Sequence, residues 1–141
     1  FGRYKQPSFP AAEMAAFQQK AQVATFQVQD FAATMAAAQL GDVVYCDPPY
    51  APLSATANFT SYSADGFGAA AQQKLADLAD QLRQRGIPVI ISNHDTPFTR
   101  TLYAVADEHQ YFGVQRHISC NGANRNKAEE VLAIYRAAIF M

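Results

Sequence analysis

The sequence is poor in cysteine and in charge, and it has no long hydrophobic run. Its two cysteines lie far apart, at positions 46 and 120, which excludes a disulfide scaffold and the paired spacing of a zinc ribbon and fits a reduced, intracellular protein. No apolar run approaches the roughly 18 residues that span a bilayer, and no secretion-signal pattern opens the chain. Eleven basic and twelve acidic residues give a net charge of −1, so contact with nucleic acid would need a local basic patch.

What the sequence does contain is enough apolar material for a core. Half of its 141 residues are hydrophobic, a composition typical of a folded domain. A chain of this length forms one ordinary domain or part of a larger one. Because the chain begins at Phe1 rather than at a methionine, we expect it to be a piece of a longer protein.

The hydrophobic pattern alternates between helical and strand periods. Helical spacing predicts helices over residues 11–21, 31–40, 69–85 and 97–108. Strand patterns cover residues 23–28, 42–46, 87–91, 111–118 and 131–135. The first strand pattern could instead extend the first helix, whereas the second is continuously apolar, as in strands buried on both faces. The alternation predicts an α/β fold around a mostly parallel sheet, with the last two strands forming an antiparallel hairpin at one edge.

Several side chains are assigned to packing rather than to chemistry. The predicted core residues are Phe17, Leu75, Leu78, Leu82, Val89, Ile90 and Ile91. Cys46 is predicted to be a buried packing residue and Cys120 a loop thiol. The three histidines lack the spacing of metal ligands, so no metal site is predicted.

The most informative motif follows the second predicted strand. Ligands of open α/β sheets bind at the carboxyl ends of the strands, and the strand at residues 42–46 ends at Asp47-Pro48-Pro49-Tyr50. The two prolines fix the backbone and remove two N–H donors, which leaves the carbonyls of Asp47 and Pro48 free to accept hydrogen bonds. A carboxylate, a rigid carbonyl and the Tyr50 ring together favour a planar group that carries an NH2, such as a nucleobase.

The same four residues could also form a stiff turn that only closes the strand. Two features favour a functional role: the motif follows a clean buried strand, and the long aromatic loop of residues 51–67 comes after it. A second strand end, at Ser92-Asn93, could contact the same rim, although local capping is the simpler explanation.

These residues resemble a known family. Asp47-Pro48-Pro49-Tyr50 is similar to the signature of S-adenosylmethionine-dependent amino-methyltransferases. Longer blocks resemble the DNA adenine methyltransferase (Dam) family, and they cover residues 42–62, 87–96 and 118–132. The opening residues 1–5 resemble the end of that family's target-recognition segment. The resemblance runs in order along nearly the whole chain, and its longer blocks are far more specific than the signature.

The resemblance implies a partial Rossmann-like S-adenosylmethionine-dependent methyltransferase fold. Residues 1–10 would be the tail of the target-recognition segment, and residues 11–141 the C-terminal part of the catalytic domain. Family topology places the two missing strands between the strand at residues 23–28 and the strand at residues 42–46, which would leave this piece with a hole in its sheet and an exposed apolar edge. The family's glycine-rich cofactor loop lies upstream, and Gly66-Phe67-Gly68 does not replace it. We therefore expect the isolated 141 residues to be inactive.

The activity implied by the resemblance is methyl transfer from S-adenosylmethionine to N6 of a flipped adenine in double-stranded DNA, at GATC sites in the Dam branch, in a bacterial or phage-derived cytoplasmic setting. The catalytic residues would be Asp47, Pro48, Pro49 and Tyr50. The cofactor-binding residues would be Asp30, Phe31 and Asp47. The DNA contacts would be Arg3, Tyr4, Lys5, Asn58, Asn121 and Arg125.

Plainer explanations stay open beside these assignments. Asp30-Phe31 could be an ordinary helix cap followed by a core phenylalanine, and the basic residues could belong to a solvated terminus and a polar hairpin turn. Related signatures act on RNA adenine, cytosine N4 or a glutamine amide, but Asp at position 47 and the Asn-Gly-x-x-Arg block at residues 121–125 favour DNA adenine. The chain could also be a truncated, non-catalytic piece that binds nucleic acid.

Overall fold

The computed structural model describes residues 9–53, 67–115 and 127–137. In chain order these residues form α1 (Ala11–Ala21), α2 (Phe31–Ala36), β1 (Val44–Cys46), α3 (Ala69–Gln84), β2 (Val89–His94), α4 (Pro97–Leu102), β3 (Glu108–Gln115) and β4 (Lys127–Tyr135). None of the helices within these ranges has the length and apolarity that crossing a membrane requires.

The four strands form one mixed sheet in the order β1-β2-β4-β3. β1 runs parallel to β2, with Val44 beside Val89, whereas β4 is antiparallel to both β2 and β3. The α/β class and the antiparallel pairing of the last two strands are therefore confirmed, with β3 at the edge. The mostly parallel sheet is not confirmed, because only one of the three strand pairings among the described residues is parallel.

Local sequence signals set the ends of several elements. The Asp30 carboxylate caps α2 by accepting a hydrogen bond from the Ala32 N–H, and Thr96 and Thr99 form a reciprocal capping box at the start of α4. Gly86 follows α3 with a positive φ of 79°, which glycine adopts at little cost. A Cβ at this position would lie 3.1 Å from a carbon of the exposed Leu40 side chain, which can move aside, so the backbone angle rather than the available space favours glycine.

Two helices are shorter than predicted, and the strands β2 and β4 are longer. α2 ends at Ala36, because the Asp42 carboxylate accepts a hydrogen bond from the Gln39 N–H and turns the chain towards β1. α4 ends at Leu102, where a turn closed by the Tyr103 carbonyl leads towards β3. β2 continues to His94 because β4 keeps pairing with it over its whole length.

The strand predicted at residues 23–28 is wrong. These residues adopt no regular structure, and Val23 and Val28 are almost fully exposed. Alternating hydrophobicity produces a strand only where a neighbouring strand offers backbone partners, and no described strand pairs with this segment. The preceding helix α1 buries none of its residues, so the assignment of Phe17 to the core is also wrong; its side chain is 67% exposed.

β1 is less buried than its apolar sequence suggested. It forms one edge of the described sheet, and Val43 and Tyr45 are more than half exposed at 66% and 62%. The prediction of a strand buried on both faces is therefore wrong here: Val44 and Cys46 pack against the core on one face, while Tyr45 on the opposite face stays exposed.

The core lies between the sheet and α3. The amphipathic helix α3 buries Leu75, Ala79 and Leu82, and α2 adds Met35 to the same cluster. The sheet contributes Val89, Ile91, Val131, Ala133 and Tyr135 to this core. Four predicted core residues are confirmed as buried, namely Leu75, Leu82, Val89 and Ile91. Leu78 and Ile90 are half-buried.

Two tyrosines in this core differ in how their hydroxyl groups are satisfied. Tyr103 and Tyr135 are both fully buried. The Tyr103 hydroxyl bonds with Asn93 and Gln72, whereas the Tyr135 hydroxyl has no partner among the described residues. Burial raises the pKa of Tyr103 to about 12 and raises that of Tyr135 further, so both stay neutral at physiological pH.

This difference predicts opposite effects of the same substitution. Tyr135→Phe removes an unpaired buried hydroxyl, so we expect the free energy of unfolding to stay unchanged or rise by up to about 1 kcal/mol. Tyr103→Phe leaves one N–H of the buried Asn93 amide without a partner and should lower the free energy of unfolding by about 1–3 kcal/mol. Urea unfolding followed by circular dichroism measures both values. Equal destabilisation by the two variants would contradict the prediction.

Candidate functional site

The carboxyl ends of β1 and β2 meet at one side of the sheet and bring the two predicted rim segments together. The Ser92 hydroxyl of β2 donates to a carboxylate oxygen of Asp47 at 2.9 Å and lies 3.3 Å from the Cys46 carbonyl oxygen. Asp47 itself is exposed. The second oxygen of its carboxylate, Oδ2, makes no hydrogen bond within the described part of the chain. The Asp47 carboxylate therefore lies at the rim with one of its two oxygens held by Ser92.

Tyr50 lies at the same rim and is half-buried. Its ring meets the His94 ring edge-on, with centroids 4.9 Å apart and planes at 85°. Its hydroxyl lies 3.5 Å from a carboxylate oxygen of Glu130 on β4. Burial raises the pKa of the Tyr50 hydroxyl, which keeps it protonated and able to donate. The ring is thus held against the sheet while part of it remains accessible.

Side chains from two elements hold the backbone of the motif. The Gln72 amide of α3 donates to the Pro49 carbonyl at 2.8 Å. The Asn93 side-chain oxygen accepts from the Ala51 N–H at 2.8 Å, and His94 Nδ1 lies 2.6 Å from the Ala51 carbonyl oxygen. The Pro48 carbonyl accepts no hydrogen bond within the described ranges. Gln72 therefore occupies the Pro49 carbonyl, whereas the Pro48 carbonyl oxygen stays available for a ligand.

Behind the motif lies a fully buried polar cluster. The Asn93 amide nitrogen donates to the Gln72 side-chain oxygen at 3.1 Å and to the Tyr103 hydroxyl at 2.9 Å, and all three side chains are inaccessible to solvent. Hydrogen bonds satisfy these groups, so their burial carries little penalty. The cluster links α3 and β2 to the back of the motif.

A cavity of about 350 Å3 opens beside the motif, between α2 and β1. Its walls include Phe31 and Thr34 on one side and Cys46, Asp47 and Pro48 on the other. Phe31 also packs against Phe67, with ring centroids 5.5 Å apart, and the Lys74 amine lies 5.3 Å from the Phe31 ring centre. The result is an aromatic wall facing a carboxylate across one cavity.

The predicted site residues thus fall into three groups. Asp47, Pro48, Pro49 and Tyr50 form one rim, and Phe31 lines the cavity that Asp47 also borders. The Asp30 carboxylate is engaged as the cap of α2 and is not among the residues that line the cavity. The predicted DNA contacts Arg3, Tyr4, Lys5, Asn58, Asn121 and Arg125 lie outside the described residues. Within those residues no cluster of three or more metal-ligating side chains occurs.

Sequence analysis missed several residues that hold the motif in place. Gln72 lies three positions before Leu75, on the apolar face of α3, and a glutamine at such a position indicates a buried polar partner. Asn93 was not missed in this way: the sequence analysis named Ser92-Asn93 as a possible rim contact, and their side chains bond to Asp47 and to the Ala51 N–H. Glu130 gave no signal, because only the pairing of β4 with β2, His94 opposite Glu130, brings it to the rim.

Comparison with known proteins adds an independent finding. Residues 1–117 match the family model of D12 class N6 adenine-specific DNA methyltransferases. The chain is 51% identical over 139 residues to a DNA adenine methylase of Salmonella typhi and 52% identical over 139 residues to one of Escherichia coli, covering 99% of this chain and 50% of each relative. A DNA adenine methylase of Vibrio cholerae is 52% identical over 136 residues, which cover 96% of this chain and 49% of that protein. The chain spans about half the length of these curated relatives.

The cavity wall yields a chemical prediction for Cys46. Burial raises the pKa of its thiol from 9.0 to about 11, and only the thiolate reacts with alkylating agents. At pH 8 iodoacetamide should therefore modify Cys46 about 100-fold more slowly in the folded protein than in urea. Mass spectrometry of the labelled peptides separates Cys46 from Cys120. Similar rates in both states would show that the thiol is not shielded.

Proposed function

The chain belongs to the family of D12 class N6 adenine-specific DNA methyltransferases, and from that premise we propose that it forms the amine-binding half of an enzyme that methylates N6 of adenine in double-stranded DNA at GATC sites. The methyl donor in this proposal is S-adenosylmethionine. The observation that supports the proposal is that Asp47, Pro48 and Tyr50 lie on one short turn at the carboxyl end of β1, with Asp47 held by Ser92 and Tyr50 held against His94.

The exocyclic amine of adenine is a weak nucleophile, because its lone pair is delocalised into the ring. In the proposed site its two N–H groups donate to the Asp47 carboxylate and to the Pro48 carbonyl. Both acceptors stabilise the positive charge that develops on nitrogen when the carbon–nitrogen bond forms. Their fixed positions also align the nitrogen for attack, so no covalent intermediate with the protein is needed.

The prolines have a physical role in this scheme. They restrict the backbone and take away N–H groups that would otherwise compete for the carbonyl oxygens. The Pro49 carbonyl is occupied by Gln72, which leaves the Pro48 carbonyl for the amine. The acceptor pair is thus fixed before the substrate arrives, which avoids reorganisation during the reaction.

Tyr50 would provide the surface for the target base. An adenine inside a duplex cannot reach a rim of this kind, so the base must rotate out of the stack. Stacking on an aromatic ring is worth about 1–3 kcal/mol per base in single-strand binders, a gain that offsets part of the unstacking cost. The contacts of Tyr50 with His94 and Glu130 keep its ring in place for this purpose.

The cavity beside the rim fits the proposed methyl donor. Its aromatic wall at Phe31 suits an adenine ring, the Asp47 carboxylate suits a positively charged group, and its volume of about 350 Å3 lies within the range of ligand pockets. When bound, S-adenosylmethionine supplies an activated methyl group on a sulfonium. We assign Phe31 and Asp47 to its site, with Asp30 fixing Phe31 through the cap of α2.

The remaining parts of the proposal concern the longer protein. Residues 11–141 would be the C-terminal part of a Rossmann-like catalytic domain, and residues 1–10 the tail of its target-recognition segment. Arg3, Tyr4, Lys5, Asn58, Asn121 and Arg125 are the proposed DNA contacts. The bacterial origin of the relatives supports a bacterial cytoplasm as the place of action. Because the chain spans half of those relatives, we expect activity from the full-length protein and not from these residues alone.

Replacing Asp47 in the full-length protein tests the central assignment. We expect Asp47→Ala to lower the rate of methyl transfer to a GATC duplex by about 100- to 1000-fold, since one charge-stabilising acceptor is lost. Affinity for the duplex should change little, because phosphate contacts dominate binding to DNA. Transfer of a tritiated methyl group and a fluorescence binding assay measure the two quantities.

Asp77→Ala is the matched control for this test. Asp77 is another exposed carboxylate, on α3, and it accepts a hydrogen bond from Gln73 on the same helix. We expect this variant to transfer methyl groups at nearly the wild-type rate. If Asp47→Ala transferred methyl groups at the wild-type rate, the proposed role of Asp47 would be wrong. If the unmodified protein methylated RNA or cytosine instead, the proposed substrate would be wrong.

The two parts of Tyr50 can be separated by substitution. Tyr50→Phe keeps the ring and should retain most of the activity, whereas Tyr50→Ala should weaken capture of the flipped base by about 1–3 kcal/mol. A duplex with 2-aminopurine in place of the target adenine reports the effect through the fluorescence of the unstacked base. Equal behaviour of the two variants would exclude stacking on Tyr50.

A further inference from the structure

Three side chains bond to the backbone on both sides of Tyr50, more than closing a turn requires. Gln72 holds the Pro49 carbonyl, while Asn93 and His94 hold the N–H and the carbonyl of Ala51. A proline-rich turn is already restricted in its dihedral angles. These hydrogen bonds also fix the position of residues 49–51 relative to α3 and β2, which the proline-rich turn alone cannot do.

The orientation of the Gln72 amide is determined by its neighbours. Its oxygen accepts hydrogen bonds from the Asn93 amide at 3.1 Å and from the Tyr103 hydroxyl at 3.4 Å. Its nitrogen must then face the Pro49 carbonyl at 2.8 Å. The reverse orientation would place donors against the Asn93 amide and an acceptor against the carbonyl, so it is disfavoured.

The position of Gln72 also argues for a role beyond packing. It is fully buried on the face of α3 that carries Leu75, Ala76 and Ala79. An apolar side chain of similar volume could fill this place but could make none of the hydrogen bonds of the Gln72 amide. Its oxygen accepts from Asn93 and Tyr103 inside the cluster, and its nitrogen makes the one bond that reaches the motif, to the Pro49 carbonyl.

We propose that Gln72 is a positioning residue for methyl transfer: by holding the Pro49 carbonyl away from the rim, it keeps the Pro48 carbonyl as the acceptor for the target amine. This inference rests on the proposed function of the rim. Gln72 touches neither the base nor the methyl donor in this scheme and acts only through the backbone of residues 48–51.

Hydrogen exchange tests the positioning without reference to activity. Pro48, Pro49 and Pro52 have no amide hydrogen, so a peptide covering residues 48–53 reports on few amides, including that of Ala51. In the full-length protein we expect Gln72→Met to speed exchange in this peptide by about tenfold or more, as expected when a segment loses a fixing hydrogen bond. Peptides from β2 and β4 should exchange at the wild-type rate.

Single-turnover kinetics then test the consequence for the reaction. We expect Gln72→Met to lower the rate at saturating DNA and S-adenosylmethionine by about 10- to 100-fold, as displacements near 1 Å do. The dissociation constants of both ligands should stay within about twofold, because Gln72 contacts neither. Gln73→Met is the matched control: Gln73 is exposed and bonds to Asp77 on the same helix, so both readouts should match the wild type.

Each outcome supports or overturns the inference. Unchanged exchange at residues 48–53, or a rate within twofold of wild type in a folded Gln72→Met protein, would overturn it. Gln72→Asn, which keeps an amide but shortens its reach, should reproduce both effects if the methionine variant does not fold; failure of both to fold would make the role purely structural and overturn the proposal. Faster exchange together with a wild-type protein that methylates no adenine would refute the proposed function instead.

Discussion

The bond between the Asn93 side chain and the Ala51 N–H is the contact on which the architecture of the site depends. Asn93 belongs to β2, the central strand next to β1, and it is fully buried. Its side-chain oxygen accepts a hydrogen bond from the Ala51 N–H, and its side-chain nitrogen donates to the Gln72 oxygen and the Tyr103 hydroxyl. The Asn93 amide thus joins the sheet, α3 and the residue that follows α4 to a segment that has left the sheet. In a buried setting such a satisfied network fixes a single arrangement.

In this proposal the motif supplies the groups that contact the substrate, and the sheet holds those groups in position. The parallel pairing of β1 with β2 sets where the chain leaves the sheet, and Ser92 anchors the acid immediately beyond it. The antiparallel strand β4 brings Glu130 to the Tyr50 hydroxyl. Residues that are far apart in the chain therefore meet at one rim because strand register, rather than local sequence, places them there.

Much of the fold and part of the site could be predicted from the sequence. The helix of α3 and the strands β2 and β4 were recognisable because long apolar periods and glycine stops act locally. The segment at residues 23–28 failed because its pattern needs a pairing partner that the described chain does not offer. Asp47 and Tyr50 were evident from their own motif. The role of Gln72 was not evident, because it depends on a hydrogen bond to the Pro49 carbonyl that the sequence does not reveal.

The prolines of the motif bear on how the scaffold can diversify. A residue without an N–H cannot continue a sheet ladder, so Pro48 and Pro49 end the pairing of β1 whatever side chain precedes them. A change of the acid at position 47 would therefore leave the strand register intact. Acceptor chemistry at this rim can vary during evolution independently of the framework that carries it.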